Sequence, residues 1–238
     1  MIAIRPLAAE TVAELRRMAN AQFETPEFRA LLDLPFTRER ARVFTIHMAR
    51  YIANRRDCWA YVQGGAPLEV KRLIWRHEQE ELIEDPNVGT DHFTLATREA
   101  RALGLSAEDI EQAEPLPGAV SAFYAWTYLA KDRPWLEGVA ASSILELRNS
   151  GAVVVGGSLS SRIRRKLVEE AGLPAEGLVN QNRHSVADDE HATLLDHVVD
   201  KYVCTEQEKA QILRGAVDSL LVDRAFRGAL AAALARIV

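Results

Sequence analysis

The 238-residue sequence contains only two cysteines, Cys58 and Cys204, and they form neither a CxxC pair nor the spacing of a disulfide framework. Such scarcity is typical of a reducing compartment and predicts a cytoplasmic protein. The chain also lacks an apolar run long enough to span a bilayer, and its start has no basic segment followed by a long apolar stretch. We therefore expect a soluble protein that does not bind membranes.

Positive charge is not in excess either, because 29 lysines and arginines against 34 aspartates and glutamates give a net charge of −5. Proteins that bind nucleic acid without sequence preference neutralise phosphates with basic side chains, so nucleic acid is not an expected partner. The segment GAVVVGGSLSSR at 151–162 has no GxGxxG motif and no surrounding βαβ pattern, which excludes a dinucleotide-binding turn. We predict a loop there, followed by a helix with Ser158 as its N-cap.

Apolar residues at helical spacing are present almost throughout, broken at Pro or Gly, and no alternating strand pattern occurs. The pattern predicts one all-α domain covering residues 1–238, built as a bundle of about seven principal helices. The amphipathic segment 205–236 is a candidate homodimer contact. The predicted helices cover residues 8–22, 37–62, 67–84, 90–103, 118–130, 133–149, 158–171, 179–203 and 205–236.

The segment NRHSVADDEH at 182–191 places His184, Asp188 and His191 at spacings of four and three. On a helix these side chains share an arc of about 60°. The same stripe continues through Leu195 and Val198, so it is expected to face the interior. Two imidazoles and a carboxylate buried together need a partner, which is a divalent transition metal or a hydrogen-bonded network. The other alternative is a helix that is partly exposed at a subunit contact.

Other predicted helices carry matching groups on apolar faces. His77, Glu81 and Glu84 follow Val70 and Ile74 at helical spacing in EVKRLIWRHEQEELIED. His92 begins the next helix, in TDHFTLATREARALGL, and Glu146 is the one acid on the apolar face of RPWLEGVAASSILELRNS that begins with Trp135. Helix bundles hold di-iron or di-manganese centres with this kind of inventory of histidines and carboxylates.

The order of these motifs resembles that of the heme-oxygenase-like diiron oxidases. The resemblance covers about residues 40–200 and rests on EEL, the loop that follows it, DHFTLATREARALGLS, WLEGVAASSILEL and H-x3-D-x2-H. It implies metal ligands at Glu81, His92, Glu146, His184, Asp188 and His191, with Glu84 as the alternative to Glu81. It also implies two irons per chain with Glu146 between them, O2 as co-substrate, a small amino-acid-like or fatty-acid-like substrate, and an external electron donor as a candidate partner.

Two other readings stay open at this stage. One is a metal-free enzyme similar to the pyrroloquinoline-quinone synthases or the TenA thiaminases, in which His184 and His191 act as acid and base. The thiaminases use a cysteine nucleophile, and neither Cys58 nor Cys204 lies where that match requires it. The other reading is a non-catalytic helical ligand-binding protein, which explains an inward-facing polar cluster poorly.

Overall fold

The structure, a computed structural model, describes residues 6–237 apart from the side chains of residues 185–190. Within this range the chain forms twelve α-helices and two short 3-10 helices, and its only β-type pairing is an isolated bridge between Asp85 and Thr90. The all-α prediction is confirmed, and seven of the twelve described α-helices have 13 residues or more. The α-helices are α1 (Pro6–Ala21), α2 (Pro26–Leu32), α3 (Arg38–Gly65), α4 (Leu68–Leu82), α5 (His92–Ala102), α6 (Ala107–Gln112), α7 (Pro117–Lys131), α8 (Trp135–Asn149), α9 (Leu159–Glu169), α10 (Val179–His191), α11 (Thr193–Tyr202) and α12 (Glu206–Ala235).

The helices depart from the sequence prediction at several places. The segment predicted as one helix over 179–203 is divided at Ala192 into α10 and α11, although Ala192 keeps helical angles of φ −59° and ψ −26°. The helix predicted over 67–84 ends at Leu82, where the chain turns toward α5. Two short helices, α2 and α6, were not predicted; α6 is stabilised by a capping box between Ser106 and Asp109.

The glycine-rich segment at 151–157 forms turns rather than a strand. Gly156 and Gly157 adopt φ angles of 80° and 101°, a region of backbone space that side chains with a Cβ rarely enter. The Ser158 side chain then accepts a hydrogen bond from the Ser161 N–H and caps α9. The predicted loop and N-cap are therefore confirmed.

The helix α8 lies at the centre of the fold, because every residue from Leu136 to Arg148 is buried. It packs most extensively against α12, which also contacts α7, α2 and α1. The backbones of α8 and α12 approach so closely that a Cβ on Gly215 would lie 2.2 Å from the Glu137 carbonyl oxygen. Because α8 is enclosed on all sides, a polar residue on it must find its partner inside the protein.

Buried apolar residues form two clusters that both include parts of α3 and α12. One cluster lies around α7, α8 and α11, and the other packs α2 and α9 against the start of α3 and the end of α12. The helix α3 also contacts α4, α5 and α8, while α10 contacts α5, α8 and α9. Charged residues from α3, α4, α5, α8 and α10 meet where these contacts converge.

A short turn between α4 and α5 positions two of these charged residues. The Asp85 N–H donates to the Thr90 carbonyl at 3.0 Å, and the Gly89 N–H donates to the Asp85 carbonyl at 2.8 Å. Gly89 has a φ of 66°, which allows the chain to reverse within five residues. The Asp91 side chain then caps α5 by accepting from the Thr94 N–H, so His92 is the first residue of the helix.

Candidate metal centre

The inner face of α4 changes from apolar to polar as it approaches the helix end. Val70 and Ile74 are packed in the core, and the next residues on this face, three and then four positions further on, are His77 and Glu81, which are 5% and 2% exposed. Since side chains three and four apart lie on the same face of a helix, these four residues form one stripe. The sequence-based inference that this stripe faces inward is thus confirmed for His77 and Glu81.

Glu81, His92 and Asp85 form a buried chain of polar contacts. The His92 Nδ1 atom lies 2.9 Å from Glu81 Oε1, and its Nε2 atom lies 2.9 Å from Asp85 Oδ2. A neutral imidazole has one N–H, so His92 donates to both carboxylates only when both ring nitrogens carry a proton. Arg183 donates from Nε to the same Asp85 oxygen. Asp85 is therefore anchored from two sides and fixes the orientation of the His92 ring.

Arg56 on α3 supplies positive charge to two carboxylates of α4. Its Nη1 atom lies 2.7 Å from Glu81 Oε2 and 3.1 Å from Glu78 Oε1. All three side chains are buried. Burial disfavours the charge on Arg56, but Glu81 and Glu78 outweigh it and raise the pKa of the guanidinium above its usual value.

His77 lies between an aromatic side chain and the other histidines. Its ring centroid is 5.0 Å from that of Trp59 and 4.3 Å from that of His191. Its Nδ1 atom lies 2.9 Å from Glu78 Oε1, while its buried Nε2 atom has no hydrogen-bond partner among the described residues. Among the described acids, Glu146 approaches Nε2, and its Oε1 atom lies 3.9 Å away.

The helix α10 brings His184 and His191 to the same place. The His184 ring centroid lies 4.7 Å from that of His92, and the His191 ring centroid lies 6.0 Å from it. His191 Nδ1 is 3.7 Å from Glu81 Oε1, and its Nε2 is 3.4 Å from Glu80 Oε2. These contacts place two of the three α10 residues predicted from sequence beside the α4 stripe. The third, Asp188, has a side chain outside the described residues.

Of the other residues predicted from the sequence, Glu146 lies at the site and Glu84 does not. Glu146 is 8% exposed, faces His77, and lines the same cavity as Glu81 and His184. Glu84 lies beyond the end of α4 and is exposed, so the structure places it away from the cluster. Of the two alternative acids on this segment, Glu81 is the one that the fold buries among the histidines.

The ionisation of the buried groups is set by a balance of burial and nearby charge. Burial opposes the negative charge on Glu81, but Arg56 and the hydrogen bond with His92 hold the pKa of its carboxyl well below the usual range. Asp85 is likewise buried, and its hydrogen bonds with His92 and the Asn87 N–H lower the pKa of its carboxyl. Both acids are thus held as carboxylates, the form that binds metal.

Two neighbouring groups are shifted toward their neutral forms. Burial lowers the pKa of His77 to about 3, helped by the nearby His191. Burial raises the pKa of Glu78 to about 7 despite the opposing effect of Arg56. When Glu78 is ionised, it accepts the Nδ1–H of His77, and His77 Nε2 then presents a lone pair to the cluster. A carboxylate that holds the second nitrogen of a histidine in this way is typical of histidines that bind metals.

Three sets of donor atoms lie within 4.8 Å of one another among the described residues: His77, Glu81 and His191; Glu81, His92 and His184; and Glu80, Asp85 and His92. Neutral imidazole combined with carboxylate suits first-row transition metals, including iron. The buried Nε2 atom of His77, which lacks a partner among the described residues, is also the kind of atom that a metal would satisfy. The residues present therefore fit a metal centre, and Glu81 belongs to two of the three sets.

A cavity of about 60 Å³ adjoins this cluster. One part of its wall is formed by Glu81, Glu146 and His184. The rest is mainly contributed by α3, α9 and the C-terminal helix α12, and the lining residues there include Phe44, Met48, Tyr51, Ile52, Arg55, Leu159, Ile163 and Arg227. A separate surface groove of about 360 Å³ reaches His77 and His191 between α4 and α11.

Sequence reasoning missed several residues of this site. The sequence places His77 on the same stripe as Glu81, one turn earlier, but the family resemblance did not count it among the ligands. Asp85 follows the end of α4 and enters the cluster only because the chain reverses at Gly89, a feature without helical periodicity. Arg56 lies in a long helix of mixed polarity, where nothing in the sequence marks a buried arginine.

Residues 42–224 match the sequence profile of a family described as iron-containing redox enzyme. Because this match covers most of the chain, the protein belongs to that family. The family description agrees with the iron implied by the resemblance seen in the sequence. No curated protein matches this sequence.

Solved structures place the fold in a known class. A domain of unknown function with a heme oxygenase-like fold from Shewanella denitrificans matches with a TM-score of 0.74 and 15% identity, over 96% of this chain and 93% of the other. A CADD-like protein of unknown function from Nostoc punctiforme matches with a TM-score of 0.72 and 14% identity, over 95% of this chain and 97% of the other. At such identities the likeness concerns the fold alone, and it confirms the predicted heme-oxygenase-like architecture.

Among the described helices, none is both long enough and apolar enough to cross a membrane.

Proposed function

We propose that the protein is a non-haem diiron oxidase or oxygenase that uses O2 to oxidise a small organic substrate. The observation that carries this proposal is the pair of donor sets that share Glu81, with His77 and His191 on one side and His92 and His184 on the other. Two adjacent sets with a common carboxylate are what a dinuclear centre needs, whereas a mononuclear site would need only one.

The ligands that we propose are Glu81, His92, Glu146, His184, Asp188 and His191, with His77 as an additional donor. The carboxylate common to the two described sets is Glu81, whereas the resemblance implied that Glu146 lies between the irons. Bound iron would supply redox equivalents and open coordination positions for O2.

The residues around the ligands set their geometry and charge. Asp85 holds His92 Nε2 and leaves Nδ1 toward Glu81, and Glu78 holds His77 Nδ1 and leaves Nε2 toward Glu146. Trp59 packs against the His77 ring, with the two ring centroids 5.0 Å apart. Chain groups thus fix the nitrogen atom that each of these histidines offers to a metal.

The buried histidines fit a metal-binding enzyme, whereas the two cysteines argue against a thiaminase-like enzyme. Neither cysteine lines the cavity, and burial raises the pKa of the Cys58 thiol, which disfavours the reactive thiolate. Cys204 is exposed beyond α11. Both cysteines are free, in keeping with our proposal that the protein works in the reducing cytoplasm.

Iron stoichiometry tests the proposal. The purified chain is loaded anaerobically with Fe(II), desalted, and analysed for iron, and O2 consumption is then followed with an electrode. We expect about two irons per chain in the wild type. Glu81→Gln should lose at least one iron, since it removes a donor that is common to both sets.

Glu84→Gln is the matched control, because it makes the same chemical change three residues later at an exposed position. It should keep the iron content and the O2 consumption of the wild type. If Glu81→Gln retains two irons with normal helix content by circular dichroism, Glu81 is not a ligand. If the wild type binds no iron under these conditions, the diiron proposal is wrong.

A further inference from the structure

Arg55 on α3 is a buried arginine that lines the cavity next to the candidate metal centre. It is 3% exposed, and it directly precedes Arg56, which pairs with the ligand Glu81. Consecutive residues of a helix point about 100° apart. Arg55 therefore faces a different part of the cavity from Arg56, and it packs with its guanidinium carbon 5.7 Å from the centroid of the Trp126 ring.

The polar atoms of Arg55 have little to bind within the protein. Its Nε and Nη2 atoms are buried and have no hydrogen-bond partner among the described residues. These two N–H groups share one edge of the planar guanidinium, which is the edge that pairs with both oxygens of a carboxylate. The guanidinium carbon lies over the Trp126 ring, and this contact gives neither N–H group a hydrogen-bond acceptor.

Two acids of this region already have other arginine partners. Asp223 binds two other buried arginines, Arg148 at 2.9 Å and Arg227 at 3.0 Å. Glu78, whose pKa Arg55 influences, pairs with the next arginine along α3. A buried charge without a counter-ion is unfavourable, so a guanidinium kept in this state indicates an anion from outside the chain.

The cavity wall combines the proposed metal centre with positive charge. Glu81, Glu146 and His184 line it, and so do Arg55, Arg56 and Arg227, of which Arg56 pairs with Glu81 and Arg227 pairs with Asp223. The volume of about 60 Å³ holds about four to six water-sized groups.

We propose that Arg55 binds the carboxylate of a small organic acid, with the other end of that acid directed toward Glu81 and Glu146. This inference rests on the proposed function for the statement that the acid is a substrate, but not for the statement that the acid binds. Arg55 is then a specificity-determining residue, which selects acids over neutral molecules of the same shape and sets which end of the acid is oxidised.

Binding of butyrate and butyramide tests the proposal without any metal. The two molecules have nearly the same shape, and only butyrate carries a negative charge. Affinities for the full-length, chelator-treated chain are measured by ligand-observed NMR titration. We expect wild-type protein to bind butyrate at least tenfold more tightly than butyramide. Arg55→Met should lose this preference, whereas Arg72→Met, which removes an exposed arginine on α4 outside the cavity lining, should keep it.

Thermal unfolding distinguishes anion binding by Arg55 from a purely structural role of its side chain. If Arg55 serves an external anion, Arg55→Met removes an unpaired buried charge and should unfold at the wild-type temperature or above. Arg55→Lys keeps the positive charge but lacks the guanidinium edge with two N–H groups. We expect this variant to bind butyrate more weakly while it retains some preference for butyrate over butyramide. Should Arg55→Met prove insoluble, Arg55→Lys alone decides, because an unchanged butyrate affinity in that variant overturns the bidentate contact.

Equal binding of butyrate and butyramide by the wild type overturns the proposal, as does a butyrate preference that survives in Arg55→Met. The assay contains no iron, so its outcome is independent of the diiron proposal. A chain that binds two irons but does not prefer butyrate refutes only the anion site. A chain that prefers butyrate but binds no iron refutes only the diiron function.

Discussion

Arg56→Met is expected to destabilise the metal-free protein strongly and the iron-loaded protein much less. Arg56 is the cation that pairs with both Glu81 and Glu78, at 2.7 Å and 3.1 Å. Methionine fills part of the space that the arginine stem occupies but leaves two buried carboxylates without their counter-ion. Iron bound at Glu81 would restore positive charge to one of them.

The magnitude follows from the burial of the group. Removing one partner of a buried ion pair typically costs about 3–5 kcal/mol, because the other charge is left in the interior. For a chain of this size, each kcal/mol corresponds to about 2–4 °C in the unfolding temperature, so Arg56→Met should lower it by about 6–20 °C. Urea unfolding and differential scanning calorimetry, with and without iron, measure both parts of this expectation.

Arg16→Met is the control for this prediction. Arg16 pairs with Asp196 at 2.7 Å, but its side chain is 50% exposed and that of Asp196 is 34% exposed. Such surface pairs contribute about 0–1 kcal/mol, so the control should lose little stability. The reasoning is refuted if Arg56→Met and Arg16→Met are equally stable, or if iron fails to reduce the loss caused by Arg56→Met.

Three further predictions concern the groups around the ligands. His77→Gln should reduce the iron content from two per chain toward one, whereas His47→Gln, a change at a buried histidine outside the donor sets, should leave it unchanged; metal analysis measures both. Asp85→Asn should weaken iron binding by about 10- to 100-fold in a titration, because Asp85 orients His92. Burial raises the pKa of Glu99 from 4.5 to about 7, so between these values the folded state binds more protons than the unfolded state and stability falls as pH rises. Glu99→Gln should remove this loss and be more stable than the wild type at pH 8 but not at pH 4, by urea unfolding.

The fold was largely predictable because its signal is repeated many times along the chain. Apolar residues at helical spacing specify each long helix separately, and the absence of alternating segments excludes a sheet. The errors are at places where the signal is short. Helices α2 and α6 have 7 and 6 residues, too few for a periodic pattern to stand out.

The candidate site was predictable to the extent that its residues lie on helical stripes. Glu81 and His191 are each continuous with apolar residues on the same face, so their inward orientation follows from spacing. Asp85 depends on the turn that ends at Thr90, and Arg56 depends on which helix packs against α4. Both depend on contacts between segments far apart in sequence or on loop geometry, which periodicity in a single sequence does not encode.

The two oxygens of Glu81 are not equivalent in this site. Arg56 holds Oε2, while Oε1 faces both His92 Nδ1 at 2.9 Å and His191 Nδ1 at 3.7 Å. A carboxylate that offers both oxygens to two metals would have to give up its ion pair with Arg56, because the guanidinium and a metal cation repel each other at one oxygen. Glu81 would therefore hold a metal through Oε1 alone or exchange Arg56 for a second metal. In both cases Arg56 competes with metal for the same negative charge, and this is why the destabilisation caused by Arg56→Met should be smallest when the site is loaded.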